Sequence, residues 1–495
     1  MPLSPVLRMR RSAITAIAAV CALTALSVDA SAKAARPVEE TAPRDAGEPI
    51  MAIVSIKSQQ VTFYDADGWI VKAPVSTGTK GRETPAGVFA ILQKNADHRS
   101  NLYDDAHMPH MQRLTWNGIA LHGGPLPGYA ASHGCVRMPY GFAEKLFDLT
   151  RIGMRVIVSP YDAAPEAFSH PALLVPNAEA VAAAPERAER LALEAVEAAK
   201  AADVSKKEAA KAAREASSSK AALRKAEGAK SAADAALARA EKAVAAATTD
   251  QARARAEEQK LKADTKAAEA AAKLEAAQTD ATAKIGAAAS AQEAAKEAAA
   301  RKPAAAKAST DAKLALEPVS IYISRATQKV YVRRNTRKPW PDGGEVFDAT
   351  IEAPVTIRDP DRPLGTHVFT AMASDGVGLR WSSVSIDAGD DAKNALDRIS
   401  IPSEVLDRIA PTALPRSSII VSDEPLSKET NYRTEFVAVL SNQPQGGFKT
   451  RKPTPPPPVV KPWEGGGFFS FFDPPPPPAD RRRDRTRQVQ SKWAW

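Results

Sequence analysis

At 495 residues the chain exceeds one ordinary domain, so we expect two or three folded units joined by linkers. Its 67 basic and 58 acidic residues give a formal net charge of +9, a modest excess that solvated surface side chains can account for. The charge alone therefore does not indicate a nucleic-acid-binding protein, although the dense basic run at residues 481–487 could bind an anionic polymer.

The N-terminus has the three parts of a secretory signal peptide. Three arginines within residues 8–11 precede an uncharged, alanine- and leucine-rich run at residues 12–28, and residues 30–32 fit a signal-peptidase site. We predict that residues 1–32 are removed and that the protein acts in the periplasm or cell envelope, away from nucleic acid. The alternative is a permanent anchor helix, for which the run is at the lower limit of length. No other apolar run is long enough to span a bilayer, so we expect no stable membrane span after cleavage.

The chain has two cysteines, Cys21 and Cys135, and cleavage removes the first. The mature protein then keeps one thiol in an oxidising compartment, where it has no partner for an internal disulfide. Retention of a single thiol there favours a catalytic role for Cys135.

After a polar linker at residues 33–49, the first folded unit spans residues 50–160. Alternating apolar residues between glycine- and proline-rich turns predict strands. The strand candidates are a hairpin at 53–63 and segments 70–74, 87–92, 114–121 and 154–158. Pro139 opens a predicted helix at 140–150, so this unit is mainly β with one helix.

A second linker at residues 161–185 precedes an alanine-rich helical segment at 186–316. Alanine, glutamate, lysine and arginine dominate it, and all have high helix propensity. Large apolar residues are too sparse for a strong heptad seam, so the sequence leaves open a single rod or an antiparallel coiled-coil hairpin. Thr248-Thr249 is one candidate break, with Gly228 and Gly286 as others. Such a segment is typical of a spacer or an oligomerisation element.

Residues 317–441 form a second β-rich unit. Its segments 326–332, 362–369 and 418–422 match 58–64, 84–89 and 155–159 of the first unit in the same order. This order suggests a diverged copy, and the alternative is an unrelated β domain that reuses common turns. No cysteine follows Cys135, so the second unit cannot perform thiol chemistry. The proline-rich, basic tail at 442–495 is predicted to be disordered.

The segment Ser132-His133-Gly134-Cys135-Val136-Arg137 brings together the groups that a cysteine nucleophile needs. An imidazole can accept the thiol proton, and His122, at the end of a predicted strand, or the adjacent His133 could do so. Gly134 permits close approach of the backbone and suits an oxyanion site built from N–H groups. Arg137 could bind a substrate carboxylate, and Ser132 could hydrogen-bond a histidine or the backbone.

Three further histidines, His98, His107 and His110, are candidate metal ligands. The spacing of His107 and His110 is weak evidence for a metal, and Pro109 lies between them. We interpret these histidines as residues of a loop or of a substrate groove and predict no metal site.

The run Leu121-His122-Gly123-Gly124, followed by residues 132–138, resembles the YkuD-type L,D-transpeptidases, and Thr84-Pro85-Ala86-Gly87-Val88-Phe89 matches their upstream signature. The resemblance covers about residues 50–160. It implies a β-rich fold whose nucleophile, Cys135, attacks a peptidoglycan stem tetrapeptide, with His122 as the general base, oriented by the backbone of Gly123.

The resemblance further implies that His133, Gly134 and Arg137 complete the site, with Ser132, Gly123 and Arg137 on the substrate side. An acyl-enzyme would form as D-alanine departs, and an amine acceptor would then complete a cross-link. Carbapenems would inhibit the enzyme. No cofactor is implied.

Three functions follow from the sequence. The first is the transpeptidase, and the second is a hydrolase that passes the same thioester to water and so trims stems or cuts cross-links. The third is an envelope scaffold or spacer, in which the helical segment, the second β unit and the tail bind cell wall or envelope proteins. The intact pair of His122 and Cys135 disfavours the third as the sole role.

Overall fold

The computed structural model describes residues 38–100, 106–338, 346–376 and 378–449. The predicted signal peptide and residues 450–495 of the predicted tail lie outside the described residues. Within the described ranges, none of the helices combines the length and the hydropathy that crossing a bilayer requires.

The first unit is mainly β, with one helix. Its described elements are strands β1 (Glu40–Thr41), β2 (Met51–Ser55), β3 (Gln60–Asp65), β4 (Gly68–Pro74), β5 (Gly87–Ala90), β6 (Gln93–Arg99), β7 (His107–Arg113), β8 (Ala120–Gly123) and β9 (Val136–Met138), helix α1 (Tyr140–Leu149) and strand β10 (Arg155–Ser159).

The described strands of this unit form two sheets. The larger has the order β1-β4-β3-β2-β10-β5, and the smaller has the order β6-β7-β8-β9. Apolar residues of β2, β3 and β10 pack against Phe142 and Leu146 on the buried face of α1. The smaller sheet contains β8, the strand of His122, and β9, which begins directly after Cys135.

The remaining described elements follow from residue 166. They are strand β11 (Glu166–Phe168), helices α2 (Ala178–Ala246) and α3 (Asp250–Leu314), strands β12 (Val319–Ser324), β13 (Lys329–Asn335), β14 (Phe347–Pro354), β15 (Thr356–Ile357), β16 (His367–Ser374) and β17 (Leu379–Ser385), helix α4 (Ala392–Asp397), strand β18 (Ile399–Ser400), helix α5 (Ser403–Ile409), and strands β19 (Ser418–Ser422) and β20 (Ala438–Val439).

The helical segment is an antiparallel hairpin. Ion pairs join Glu215 to Lys284 at 2.7 Å and Asp203 to Lys302 at 3.7 Å. The residue nearer the start of α2 thus pairs with the residue nearer the end of α3, so the two helices run in opposite directions. The turn falls at Thr248-Thr249, and Thr249 caps α3 by accepting a hydrogen bond from the Ala252 amide. Buried alanines line the contact, and the 69 residues of α2 extend about 100 Å at ~1.5 Å per residue.

The second unit repeats the strand order of the first. Its sheet reads β11-β17-β16-β19-β12-β13-β14. The central strands β14-β13-β12-β19-β16 correspond in order to β4-β3-β2-β10-β5, and each pair has the same sense: β12 with β19 and β2 with β10 are parallel, and the others are antiparallel.

Equivalent faces of the two large sheets pack against each other. Ile53 and Ile157 of the first sheet share a core with Tyr322 and Ile420, which hold the same positions in the second. Arg155 crosses this interface and donates hydrogen bonds to Thr370 and Ser418, and it pairs with Glu435.

The structure moves several boundaries. The predicted linker at 33–49 contains β1, which pairs with β4, because Glu40 and Thr41 extend the sheet edge. The predicted linker at 161–185 contains β11, which pairs with β17, and α2 begins at Ala178 because Asn177 caps it. Pro185 thus lies inside the helix and does not mark its start.

The end of the second unit also differs from the sequence-based boundary. Strand β20 joins the first sheet beside β5, with Ala438 opposite Val88. Residues 446–448 of the predicted tail lie against the first unit, where the Gly447 amide donates to the Glu83 carbonyl at 2.8 Å. The sequence pattern missed this return because backbone pairing across hundreds of residues leaves no local periodicity.

Candidate active site

His122 is buried and is the third of the four residues of strand β8. Its Nδ1 lies 2.8 Å from the carbonyl oxygen of Gly123, and only 7% of the residue is exposed. A carbonyl can only accept, so Nδ1 holds the ring proton and Nε2 keeps the lone pair of a base. Burial, with smaller contributions from Arg137 and the nearby histidines, lowers the pKa of His122 to about 4, so the imidazole is neutral near pH 7.

Cys135 immediately precedes β9, the parallel neighbour of β8. The register places Leu121 opposite Val136 and His122 opposite Arg137, which brings the cysteine to the start of the strand beside Ala120. The carbonyl of Gly118 accepts a hydrogen bond from Cys135 Sγ at 3.5 Å, and the side chain packs against Met108, Met111 and Ala120. Burial raises the pKa of the thiol, although Arg113 and Arg137 oppose this effect.

Hydrogen bonds from the side chains of Ser132 and Thr84 hold the loop before Cys135. Ser132 Oγ donates to the Cys135 carbonyl and accepts from the Gly134 amide at 3.1 Å. The Gly134 carbonyl in turn accepts from Thr84 Oγ1 at 2.7 Å. Ser132 is 1% exposed, so its hydroxyl braces the loop from inside.

Gly134 is required by its backbone conformation and by its surroundings. Its φ of +119° lies in the region that disfavours residues with a side chain. An added Cβ would also lie 2.7 Å from Ile119 Cδ1. Because the Gly134 amide is bonded to Ser132, it is not a free donor for an oxyanion.

The paired glycines after His122 make room for neighbouring side chains. A Cβ at Gly123 would lie 3.1 Å from the Tyr140 ring, and one at Gly124 would lie 3.2 Å from the Arg137 side chain. Arg137 is tied to the first unit through its backbone, which exchanges hydrogen bonds with Ser76. The aliphatic part of the Arg137 side chain therefore lies over Gly124, two residues from His122.

His133 differs from its neighbours because it is exposed. The structure thus brings Ser132, Gly134, Cys135, Arg137, His122 and Gly123 together around β8 and β9, with His133 at the surface of the same loop. His122 is buried and tethered whereas His133 is exposed, and the choice of His122 as the base stays a prediction.

His98, His107 and His110 lie on strands β6 and β7, not in a loop. His107 Nε2 lies 3.0 Å from an oxygen of Asp97, and the His110 ring packs edge-on against Phe147. Among the described residues, no group of three or more histidine, cysteine, aspartate or glutamate side chains could hold a metal ion.

Sequence reasoning missed Arg113 and Thr84 as parts of this site. Arg113 lies on β7, where Nε donates to Gln93 at 3.0 Å, and its positive charge acts on Cys135. Thr84 links the Gly78 amide to the Gly134 carbonyl. The Thr84-Pro85 signature could have indicated Thr84, whereas a single arginine on a strand gave no signal.

The first unit is similar to known proteins. The family model for the YkuD L,D-transpeptidase catalytic domain matches residues 49–158. A comparison with curated proteins found no significant match.

Solved structures with similarity include an L,D-transpeptidase from Mycobacterium smegmatis, at 24% identity over 22% of this chain and 58% of that chain, with a TM-score of 0.21. An L,D-transpeptidase from Xylanimonas cellulosilytica has 26% identity over 23% and 62% of the two chains, with a TM-score of 0.21. The catalytic domain of the Enterococcus faecium enzyme has 23% identity over 23% and 99%, with a TM-score of 0.20. The matched region therefore spans about three fifths of the first two structures.

The family match coincides with the first unit and includes His122, Cys135 and the loop between them. Residues 49–158 of this chain therefore form an L,D-transpeptidase catalytic domain of the YkuD family.

Proposed function

We propose that the protein is an L,D-transpeptidase that acts on peptidoglycan stem tetrapeptides through an acyl-enzyme on Cys135. The observation that carries the proposal is the placement of a neutral, tethered imidazole on β8 and a partly buried thiol immediately before β9, two positions apart in the register of these paired strands. Both groups are uncharged at rest, so the thiol proton moves only when the nucleophile attacks.

In the first half-reaction, Nε2 of His122 takes the proton from Sγ as sulfur bonds to the carbonyl carbon before the terminal D-alanine. The tetrahedral intermediate then collapses, the C–N bond breaks, and the imidazolium protonates the departing amine. D-Alanine leaves and a thioester remains. In the second half-reaction, His122 deprotonates an acceptor amine, which attacks the thioester and releases the thiol.

The other residues have supporting roles in this proposal. Arg137, held over Gly124, suits a carboxylate of the stem peptide. His133 reaches substrate from the exposed side of the loop. Ser132, which the resemblance places on the substrate side, is proposed as a positioning residue because it is buried and bonded to the loop backbone. Gly123 orients His122 through its carbonyl.

The decisive experiment incubates the mature chain with disaccharide tetrapeptides and reads the products by mass. Release of D-alanine with formation of 3→3 dimers supports the transpeptidase. Trimmed stems or lost cross-links indicate instead that water is the acceptor. Unchanged activity in Cys135→Ala would refute the assignment of the nucleophile, and absence of any reaction would favour a scaffold.

We also propose that the second β unit is a diverged copy of the first that serves as a brace. The shared strand order supports this, as do shared turns: Gln59 and Gln328 both have φ near +50°, at 52° and 51°. The Ser55 hydroxyl accepts a hydrogen bond from the Ser58 amide at 3.2 Å, and the Ser324 hydroxyl accepts one from the Thr327 amide at the same distance.

We further propose that a cleaved signal peptide directs export of the protein. We also propose that the helical hairpin is a spacer towards cell-wall or envelope partners.

A further inference from the structure

A segment near the C-terminus reaches back to the two loops that hold Cys135. We define residues 429–448 as the C-terminal strap. It contains β20, which extends the first sheet beside β5. Its contacts with the catalytic unit join residues more than 300 positions apart, so no local sequence pattern could have indicated them.

One end of the strap lies against the loop that precedes the nucleophile. The Gly447 amide donates to the Glu83 carbonyl at 2.8 Å, and the Gly446 amide donates to Glu83 Oε2 at 3.2 Å. Glu83 adjoins Thr84, whose hydroxyl holds the Gly134 carbonyl at 2.7 Å. Gly447 also packs directly on Gly134, because a Cβ added to Gly447 would lie 3.2 Å from Gly134 Cα.

The strap also touches the turn on the other side of the thiol. The Trp116 amide donates to a carboxylate oxygen of Glu429 at 2.8 Å, and the Asn117 side chain donates to the Phe448 carbonyl at 3.4 Å. The next residue, Gly118, supplies the carbonyl that accepts from Cys135 Sγ. The strap thus contacts both backbone segments that fix the sulfur.

We propose that the C-terminal strap is a positioning element for the Cys135 thiol, acting through Glu83 and Gly134 on one side and through the Trp116–Gly118 turn on the other. The inference extends the transpeptidase proposal, and only its predicted effect on kcat depends on that proposal. A displaced strap frees both loops, so the sulfur loses its contact with Gly118 and becomes better solvated. The thiol then reacts more readily with small reagents and less readily with a substrate that must be aligned.

The test uses the full mature chain with the substitution Gly447→Val. A Cβ at Gly447 would lie 2.6 Å from the Glu83 carbonyl oxygen, a backbone atom, so the strap must move. Glu429→Ala removes the acceptor of the Trp116 amide without steric conflict, and Glu429→Gln restores a carbonyl acceptor. Gly228→Ala is the matched control, since its added Cβ meets open space on the hairpin.

Two experiments are made: one measures the pH dependence of Cys135 alkylation by iodoacetamide, and the other measures kcat and KM for D-alanine release. In Gly447→Val and Glu429→Ala, the alkylation midpoint falls towards the ordinary thiol value of ~8.5, and alkylation at pH 7 accelerates roughly three- to tenfold. The kcat falls roughly ten- to a hundredfold with little change in KM, as expected for misplacement of the nucleophile. Glu429→Gln stays close to the unsubstituted protein.

Alkylation midpoints equal to that of Gly228→Ala in both strap variants would overturn the proposal. So would a lower melting temperature with an unchanged midpoint, because that result assigns the strap to stability alone. If Gly447→Val does not fold, the alkylation midpoint of Glu429→Ala alone tests the proposal. If the midpoints shift but the unsubstituted protein releases no D-alanine, the strap proposal stands and the transpeptidase proposal fails.

Discussion

Arg155 donates a hydrogen bond of 2.9 Å to Ser418, the residue that holds the same sheet position in the second unit. The two β units therefore meet through equivalent strands, and the arginine of one reaches the serine of the other. Glu435 and Thr370 complete the surroundings of this guanidinium, which is 7% exposed.

Replacement of Arg155 by alanine should destabilise the interface between the units. The change removes three partners and leaves the Glu435 carboxylate without its cation, at an expected cost of about 3 kcal/mol in the free energy of unfolding. Urea denaturation measures this loss. Arg190→Ala, which breaks an exposed pair with Glu194 on the hairpin, serves as control and should cost about 0.5 kcal/mol or less. Equal effects of the two changes would contradict a buried bridge.

The pH profile of kcat/KM should show an unusually low acid limb. A base must be unprotonated to accept a proton, and burial lowers the pKa of His122 to about 4. Activity should therefore fall only as pH drops through about 4 and should be retained across pH 5–7. A limb near pH 6.5, the ordinary histidine value, would contradict the proposed environment of His122.

Ser132→Ala tests whether this residue braces the loop or contacts substrate. The change leaves the buried Gly134 amide without its acceptor, so the free energy of unfolding should fall by about 1–3 kcal/mol. The kcat should fall with KM nearly unchanged. Thr279→Ala, which removes an exposed hydroxyl on the hairpin, is the control and should be nearly neutral. A raised KM with unchanged stability would instead place Ser132 in contact with substrate.

Ala281→Leu should loosen the helical hairpin. Ala281 is 1% exposed in the contact between α2 and α3, and a larger side chain there overpacks it at a cost of about 1–3 kcal/mol. Thermal loss of the circular dichroism signal at 222 nm should shift to lower temperature, while D-alanine release should stay unchanged. Ala287→Leu, on the exposed face of the same helix, is the matched control. Identical melting of both variants would argue against the hairpin contact.

The sequence by itself determined the local features of this protein. The motif around Cys135, the β-rich character of the first unit and the helical composition of the long segment depend on neighbouring residues and their periodicity. The break at Thr248-Thr249 was also among the sequence-based candidates, because a capping threonine is a local signal. The resemblance to the YkuD-type family implied His122 as the base, and this role stays a prediction.

Only the tertiary structure decided how distant parts meet. It closed the helices into a hairpin, paired the two large sheets, inserted β20 beside β5 and brought Gly447 against Gly134. It also placed two adjacent loop residues differently, because Ser132 is buried whereas His133 is exposed. These outcomes depend on burial and on backbone hydrogen bonds between residues hundreds of positions apart, and neither leaves a periodic trace in the chain.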